Sequence, residues 1–165
     1  MKRLTLLRHA KSSWANSEQQ DFDRALNNRG LHDAPAMSQR LLDKQCTPDL
    51  ILCSAANRTR QTAQFFVDIH GLSSTAITFH EDLYLASAGT LLDFIQQTND
   101  SVNHLMVIAH NPGLEVLGCQ LHPDSPSSLA TCAVLDFSLH SDSFTIQPDT
   151  QIELLLHDFP KNTAS

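Results

Sequence analysis

The chain has 165 residues, a formal net charge of -7 and a pI near 5.6, a balance that argues against general binding to nucleic acid or to anionic membranes. Its 41% hydrophobic and 18% charged residues place it in the globular class and outside the disordered one. The length suits one domain spanning 1–165 with a substantial core.

The opening MKRLTLLRH has too few apolar residues before charge resumes to be a signal peptide or a membrane span. The four cysteines, Cys46, Cys53, Cys119 and Cys132, lack the paired spacing of zinc sites and the density of disulfide frameworks. They read as free thiols in a reducing compartment, and a cytoplasmic protein is expected.

Residues 3 to 8 read as a buried strand that runs directly into Arg8, His9 and Lys11. Against an acidic background, that cluster suggests one anionic pocket rather than a broad basic face. A loop with Asp21, Asp23 and Arg24 follows, and Asn28 is a candidate cap for a helix over 29–44, with Leu31, Ala34, Met37, Leu41 and Leu42 on one face. Pro48-Asp49 breaks the chain before a short apolar strand, LILCS, at 50–54.

The stretch 57–69 patterns as a helix stopped by Gly71, and 76–79 as a weaker strand. A helix over 88–98 presents Leu91, Leu92 and Ile95, and HLMVIAH at 104–110 is a third clear strand that ends on a histidine. Asn111 and Pro112 suit the cap and first turn of another helix, with Glu115 complementing its positive end. Segments 131–139, 143–147 and 151–156 read as strands joined by polar turns. Phe65, Phe66 and Phe94 read as core.

Alternating strands and helices predict a three-layer α/β/α sandwich with a mostly parallel central sheet and an antiparallel addition near the C-terminus. Such sheets bind ligands beyond the carboxyl ends of their strands. That edge would gather Arg8 and His9, the SAANR run with Arg58, and His110. Arginine offers a planar, permanently charged fork for phosphate oxygens. A neutral imidazole can attack phosphorus and carry it covalently, and a second histidine can donate to oxygens that gain charge. Two guanidiniums already supply the positive field, so no metal or other cofactor is expected, and His80, Glu81 and Asp82 lack HExxH-type spacing.

Three segments carry a resemblance. LLRHAKSSW resembles the Arg-His-Gly signature of the histidine phosphatase superfamily, SAANRTRQTA its intervening arginine segment, and VIAHNPGLE its second histidine segment. Together with DFDRALNNRG they look most like the small SixA-type phosphohistidine phosphatases. The resemblance implies the histidine-phosphatase-like fold, His9 as nucleophile, and Arg8, Arg58 and His110 lining the phosphate pocket. It selects Arg58 over Arg60, places Ser12 where relatives often have a small hydroxyl residue near the phosphate, and offers Arg24 as a further substrate contact. Ala10 stands where glycine is usual, and Ala15 where many sugar-phosphate relatives have asparagine, which would move one phosphate contact to Asn16. The general acid of phosphomonoesterase members would fall near Glu81 or Asp82, with Glu81 the candidate.

The expected function is a metal-independent phosphatase that acts through a phosphohistidine on His9. Its expected partner is a protein bearing phosphohistidine, because imidazole leaves phosphorus more readily than an alkoxide does. Two alternatives stand beside it: a phosphomonoesterase for a small phosphorylated metabolite, and a non-catalytic module that recognises phosphate.

Overall fold

The computed structural model describes residues 1–163. Six strands form one sheet: β1 (Lys2–Arg8), β2 (Leu50–Ser54), β3 (Ile77–His80), β4 (His104–Ala109), β5 (Val134–Leu139) and β6 (Ile152–Asp158). Four helices are interleaved: α1 (Asn28–Asp43), α2 (Asn57–Ile69), α3 (Ala88–Gln96) and α4 (Gly113–Leu121). The spatial order is β3-β2-β4-β1-β5-β6. The first four strands in that order run parallel, and β5 and β6 are antiparallel additions.

Strand periodicity divides the core into two layers. Leu4 and Leu6 of β1, with Leu105 and Val107 of β4, pack against Leu91, Ile95, Leu114 and Leu117 of α3 and α4. Leu7, Met106 and Ile108 face the other way, onto Ala34, Met37 and Leu41 of α1 and Ala63 and Phe66 of α2. Because both faces are covered, β4 is buried along its whole length, which is why it reads as a continuous apolar run without alternation.

Several boundaries differ from the sequence reading. Asn27, not Asn28, caps α1, its side chain accepting from Gly30 N at 2.9 Å. Leu31 lies on the exposed side of that helix. The expected strand over 143–147 does not form; Phe144 is fully buried, so its apolar character serves the core without a strand ladder. The last helix starts at Gly113 with Pro112 as its cap residue, while the Asn111 side chain points its amide at Glu115 Oε1 and Leu129 O instead of capping the backbone.

Two further features hold the fold together, the first of them at the loop after β1. Gly30 packs so closely on it that a Cβ would lie 2.2 Å from Lys11 O. That loop is further held by Asn27 N donating to Lys11 O at 3.0 Å and by a bridge between Ser12 and Leu26.

The second feature is a buried polar network inside the sheet. The Thr5 hydroxyl donates to Asp136 Oδ1 and accepts from His104 Nε2, both at 2.7 Å, while Arg3 Nε and Nη2 reach Asp136 Oδ2 at 2.9 and 2.7 Å. Burial holds His104 down to about 4, against the pull of the Asp136 charge. Among the described residues, no helix is long and apolar enough to cross a membrane.

Gly30→Ala should cost about 1–3 kcal/mol of stability, the usual range for overpacking against unyielding backbone, measured by urea denaturation. A second expectation concerns pH. Between the ordinary histidine value of 6.5 and about 4, the unfolded chain binds a proton at His104 that the folded chain refuses. Stability should therefore fall as pH falls through that window, and His104→Gln should make the fall shallower in urea midpoints taken from pH 7 to 4.

Candidate active site

The site begins where β1 ends. The backbone of His9 is held on both sides, its N–H donating to Ala109 O at 3.3 Å and its carbonyl accepting from Cys132 N at 3.0 Å. One residue on, Ala10 N donates to Thr62 Oγ1, which itself donates to Arg58 O, so α2 is tied to the nucleophile loop. The first turn of α2 thus carries Arg58 to the end of β1.

The ring of His9 has a fixed tautomer. Its Nδ1 lies 2.7 Å from Ala10 O, and a carbonyl can only accept, so the proton sits on Nδ1. Nε2 keeps its lone pair, and Arg58 Nε donates to it at 3.3 Å. Burial, reinforced by the Arg58, Arg8 and Arg24 charges, holds the ring down to about 3, with the Ala10 carbonyl opposing. His9 is therefore a neutral base with its nucleophilic nitrogen free of a proton.

Three guanidiniums surround it. Arg8, Arg24 and Arg58 line one cavity of about 340 Å³ together with His9, Ser12 and Trp14; Lys11 and Thr131 complete its wall. Arg8 Nη1 donates to Leu129 O at 2.8 Å, while its buried Nε has no partner. The Leu129 segment is in turn fixed by Glu115, whose Oε1 accepts from Leu129 N at 2.9 Å and from Asn111 Nδ2 at 2.7 Å. Glu115 therefore pins the wall behind Arg8 as well as complementing the start of α4.

Arg24 and Arg58 share one carboxylate. Asp21 Oδ1 accepts from Arg24 Nη1 at 2.8 Å, and Oδ2 accepts from Arg58 Nη2 at 3.0 Å. Asp21 O accepts from Arg58 Nη1 at 2.7 Å, and the Tyr84 hydroxyl donates to Oδ2. Desolvation pushes the Asp21 carboxyl up, but the hydrogen bonds from Tyr84 and Arg24 and the Arg58 charge overcome it and hold the group at about 2. Arg24 also reaches Ser12 Oγ at 2.5 Å and Ser13 O at 2.9 Å. It is both a loop ion pair and a cavity wall.

His110 lies behind His9, with ring centroids 5.2 Å apart. Its Nε2 is 2.8 Å from Ser54 Oγ, which already accepts from Ala56 N. Ser54 Oγ keeps a second lone pair, so it can donate to Nε2 or accept from it, and the other ring nitrogen, Nδ1, is a buried atom without a partner. Burial above all, with the nearby His9 ring and the Arg58 charge, holds His110 down to about 3.

The structure thus brings Arg8, His9, Ser12, Arg24 and Arg58 onto one cavity wall, with His110 packed behind His9 rather than among the residues that line it. It does not bring Glu81 to them: Glu81 and Asp82 are exposed, in a single 3-10 turn after β3, and neither lines the cavity. The same turn sends Tyr84 to the site. Arg60 stacks on Phe79 with 4.1 Å to the ring centroid, away from the cavity wall. Sequence reasoning missed Tyr84 and Thr62 altogether, and placed Asp21 only in the loop that carries Arg24. No spacing signal marks Tyr84, since it and Asp21 lie 63 positions apart in sequence and are brought together only by the fold.

One group of metal-ligating residue types clusters among the described residues, Cys46, His104 and Asp136. The Thr5 hydroxyl sits between them, 2.7 Å from His104 Nε2 and Asp136 Oδ1 and 3.6 Å from Cys46 Sγ. It occupies the point an ion would need, so the cluster fits a hydrogen-bond network better than a metal.

Comparisons with known proteins agree with this geometry. The family model of the histidine phosphatase superfamily (branch 1) matches residues 4–92. An uncharacterized protein of Mycobacterium tuberculosis is 34% identical over 115 residues, covering 70% of this chain and 69% of that one. An uncharacterized chloroplastic protein of Arabidopsis thaliana is 32% identical over 139 residues; the match takes in 79% of this chain but only 63% of the plant protein's length. The crystal structure of a SixA protein from Agrobacterium tumefaciens superposes with a TM-score of 0.82 at 30% identity, over 96% of this chain and 98% of that one. With a nucleophile-competent histidine at the end of β1, arginines around it and relatives of this kind, the chain belongs to the histidine phosphatase superfamily, in its SixA-type group.

Proposed function

We propose that this phosphatase removes phosphoryl groups from phosphohistidine on a protein, through a covalent intermediate on Nε2 of His9. The observation that carries the reading is the lack of a usable carboxylic acid. Among the described residues no Asp or Glu lines the cavity, and the carboxyl bonded to its arginines, Asp21, is held at about 2. An alkoxide leaving group needs an acid whose pKa lies near the working pH. Asp21 is ionised there and its oxygens are taken by Arg24, Arg58 and Tyr84. An imidazole leaving group departs with a proton drawn from solvent and needs no such acid.

The steps follow from the geometry. Arg8 and Arg58 bind the phosphoryl oxygens, with Arg24 and Ser12 beside them. The Nε2 lone pair of His9 attacks phosphorus as the substrate P–N bond breaks, and the electron pair stays with the departing imidazole, which takes up a proton. As Nε2 becomes bonded to phosphorus the His9 ring gains positive charge, and the Ala10 carbonyl on Nδ1–H stabilises it. His110, packed behind His9, is the second imidazole that can donate a hydrogen bond as charge builds on the transferring oxygens. Water then attacks the phosphorus of phospho-His9, inorganic phosphate leaves, and the Nε2 lone pair is restored.

His9→Ala should lower turnover by at least about a thousandfold and abolish acid-labile phosphoenzyme, measured with a radiolabelled phosphorylated histidine domain. On that substrate Glu81→Gln should stay within about twofold of the parent protein, as suits an exposed side chain outside the cavity. Higher kcat/KM on sugar or nucleotide phosphates than on the phosphohistidine domain would instead favour a small-metabolite phosphomonoesterase. Phosphate binding with no turnover and no phosphoenzyme would make the protein a recognition module.

A further inference from the structure

Trp14 breaks the usual rule of burial. It has one of the largest apolar side chains, yet 75% of it is exposed, between the buried residues Ser12 and Arg24 that share its loop. Its position is nevertheless fixed. The Arg24 guanidinium carbon lies 3.2 Å from the centroid of the Trp14 ring. That guanidinium is itself held by Ser12 Oγ, Ser13 O and Asp21. One face of the indole is therefore backed by a cation with little freedom, and the residue still lines the cavity that contains His9 and Arg58.

We propose that the exposed surface of Trp14 is a stacking plate for a flat ring on the leaving group, and so selects phosphorylated rings over phosphorylated alkyl chains. In-line displacement drives the leaving group away from His9 Nε2, and of the two exposed residues of the cavity wall, Lys11 and Trp14, Trp14 is the aromatic one. Aromatic stacking rewards any planar π system placed there. The cation already on one face weakens the ring's attraction for a second, so a neutral ring is the favoured occupant. This inference rests on the phosphoryl-transfer reading above and narrows it, since the imidazole of phosphohistidine is such a ring. It also gives a protein-bound substrate a contact beyond the phosphate that does not depend on the rest of its partner's surface.

The test uses two matched pairs of substrates: N-phosphoimidazole with phosphoramidate, which share a P–N bond, and phenyl phosphate with methyl phosphate, which share a P–O bond. The readout is the ratio of kcat/KM for the ring-bearing member to that for the ringless member. In Trp14→Ala this ratio should fall about five- to tenfold, mainly through KM, and Trp14→Phe should restore most of it. An unchanged ratio overturns the proposal. That includes an equal loss on both members, which would show that Trp14 acts only by steadying Arg24. A parent protein that turns over the esters but neither P–N compound overturns the phosphohistidine reading, while the phenyl and methyl pair still decides the role of Trp14. Turnover of none of the four overturns both.

Discussion

An uncharged imidazole among three permanent cations is the constraint on which the site depends. The ring of His9 is buried, its proton is fixed on Nδ1 by the Ala10 carbonyl, and the fields of Arg8, Arg24 and Arg58 all oppose a second proton. The same positive field that would attract a phosphoryl dianion also keeps the attacking nitrogen unprotonated. Under the proposed mechanism, one electrostatic arrangement would therefore serve both substrate binding and nucleophile activation. It requires the arginines to be near His9 without collapsing onto solvent or each other, and most of the surrounding structure meets that requirement.

Asp21 is the counterweight. A cavity walled by three guanidiniums and no anion would be strained by like-charge repulsion, and Asp21 relieves it by binding Arg24 and Arg58 at once, with Tyr84 on its outer oxygen. Glu115 does the same at longer range for Arg8, through the backbone at Leu129. Each arginine is thus oriented by a carboxylate or by a segment that a carboxylate holds. Neither acid is in a position to be a proton donor. Preorganisation and acid catalysis compete for the same group here, and preorganisation has won.

How much of this could be read from the sequence depends on the range of each interaction. The strand-and-helix alternation, the parallel sheet and the edge that gathers Arg8, His9, Arg58 and His110 all follow from local periodicity and from residues placed at strand ends. The choice of Arg58 over Arg60 came through the resemblance, and the cavity agrees with it. What local patterns could not reveal were pairings set by tertiary geometry: Tyr84 with Asp21, Thr62 with Ala10 N, and the Thr5 hydroxyl at the centre of Cys46, His104 and Asp136. The apolar 143–147 segment misled for the complementary reason. Phe144 reports burial, and burial alone does not distinguish a strand from an irregular segment laid over the core.

The leaving group is where these threads meet. On the phosphohistidine reading, with Asp21 held at about 2 and Glu81 outside the cavity wall, the protein would position the phosphoryl group and leave departure to the chemistry of the substrate. That division works only for bonds that break readily, and P–N bonds to imidazole are of that kind. It also frees the open side of the cavity from carrying a catalytic acid. The exposed residues of its wall are Lys11 and Trp14, the latter backed by Arg24. An aromatic plate cannot protonate a leaving group, but in the proposed role it would hold a flat one while solvent supplies the proton. On that reading the absence of an acid from the wall and the exposed indole would both follow from one choice of substrate.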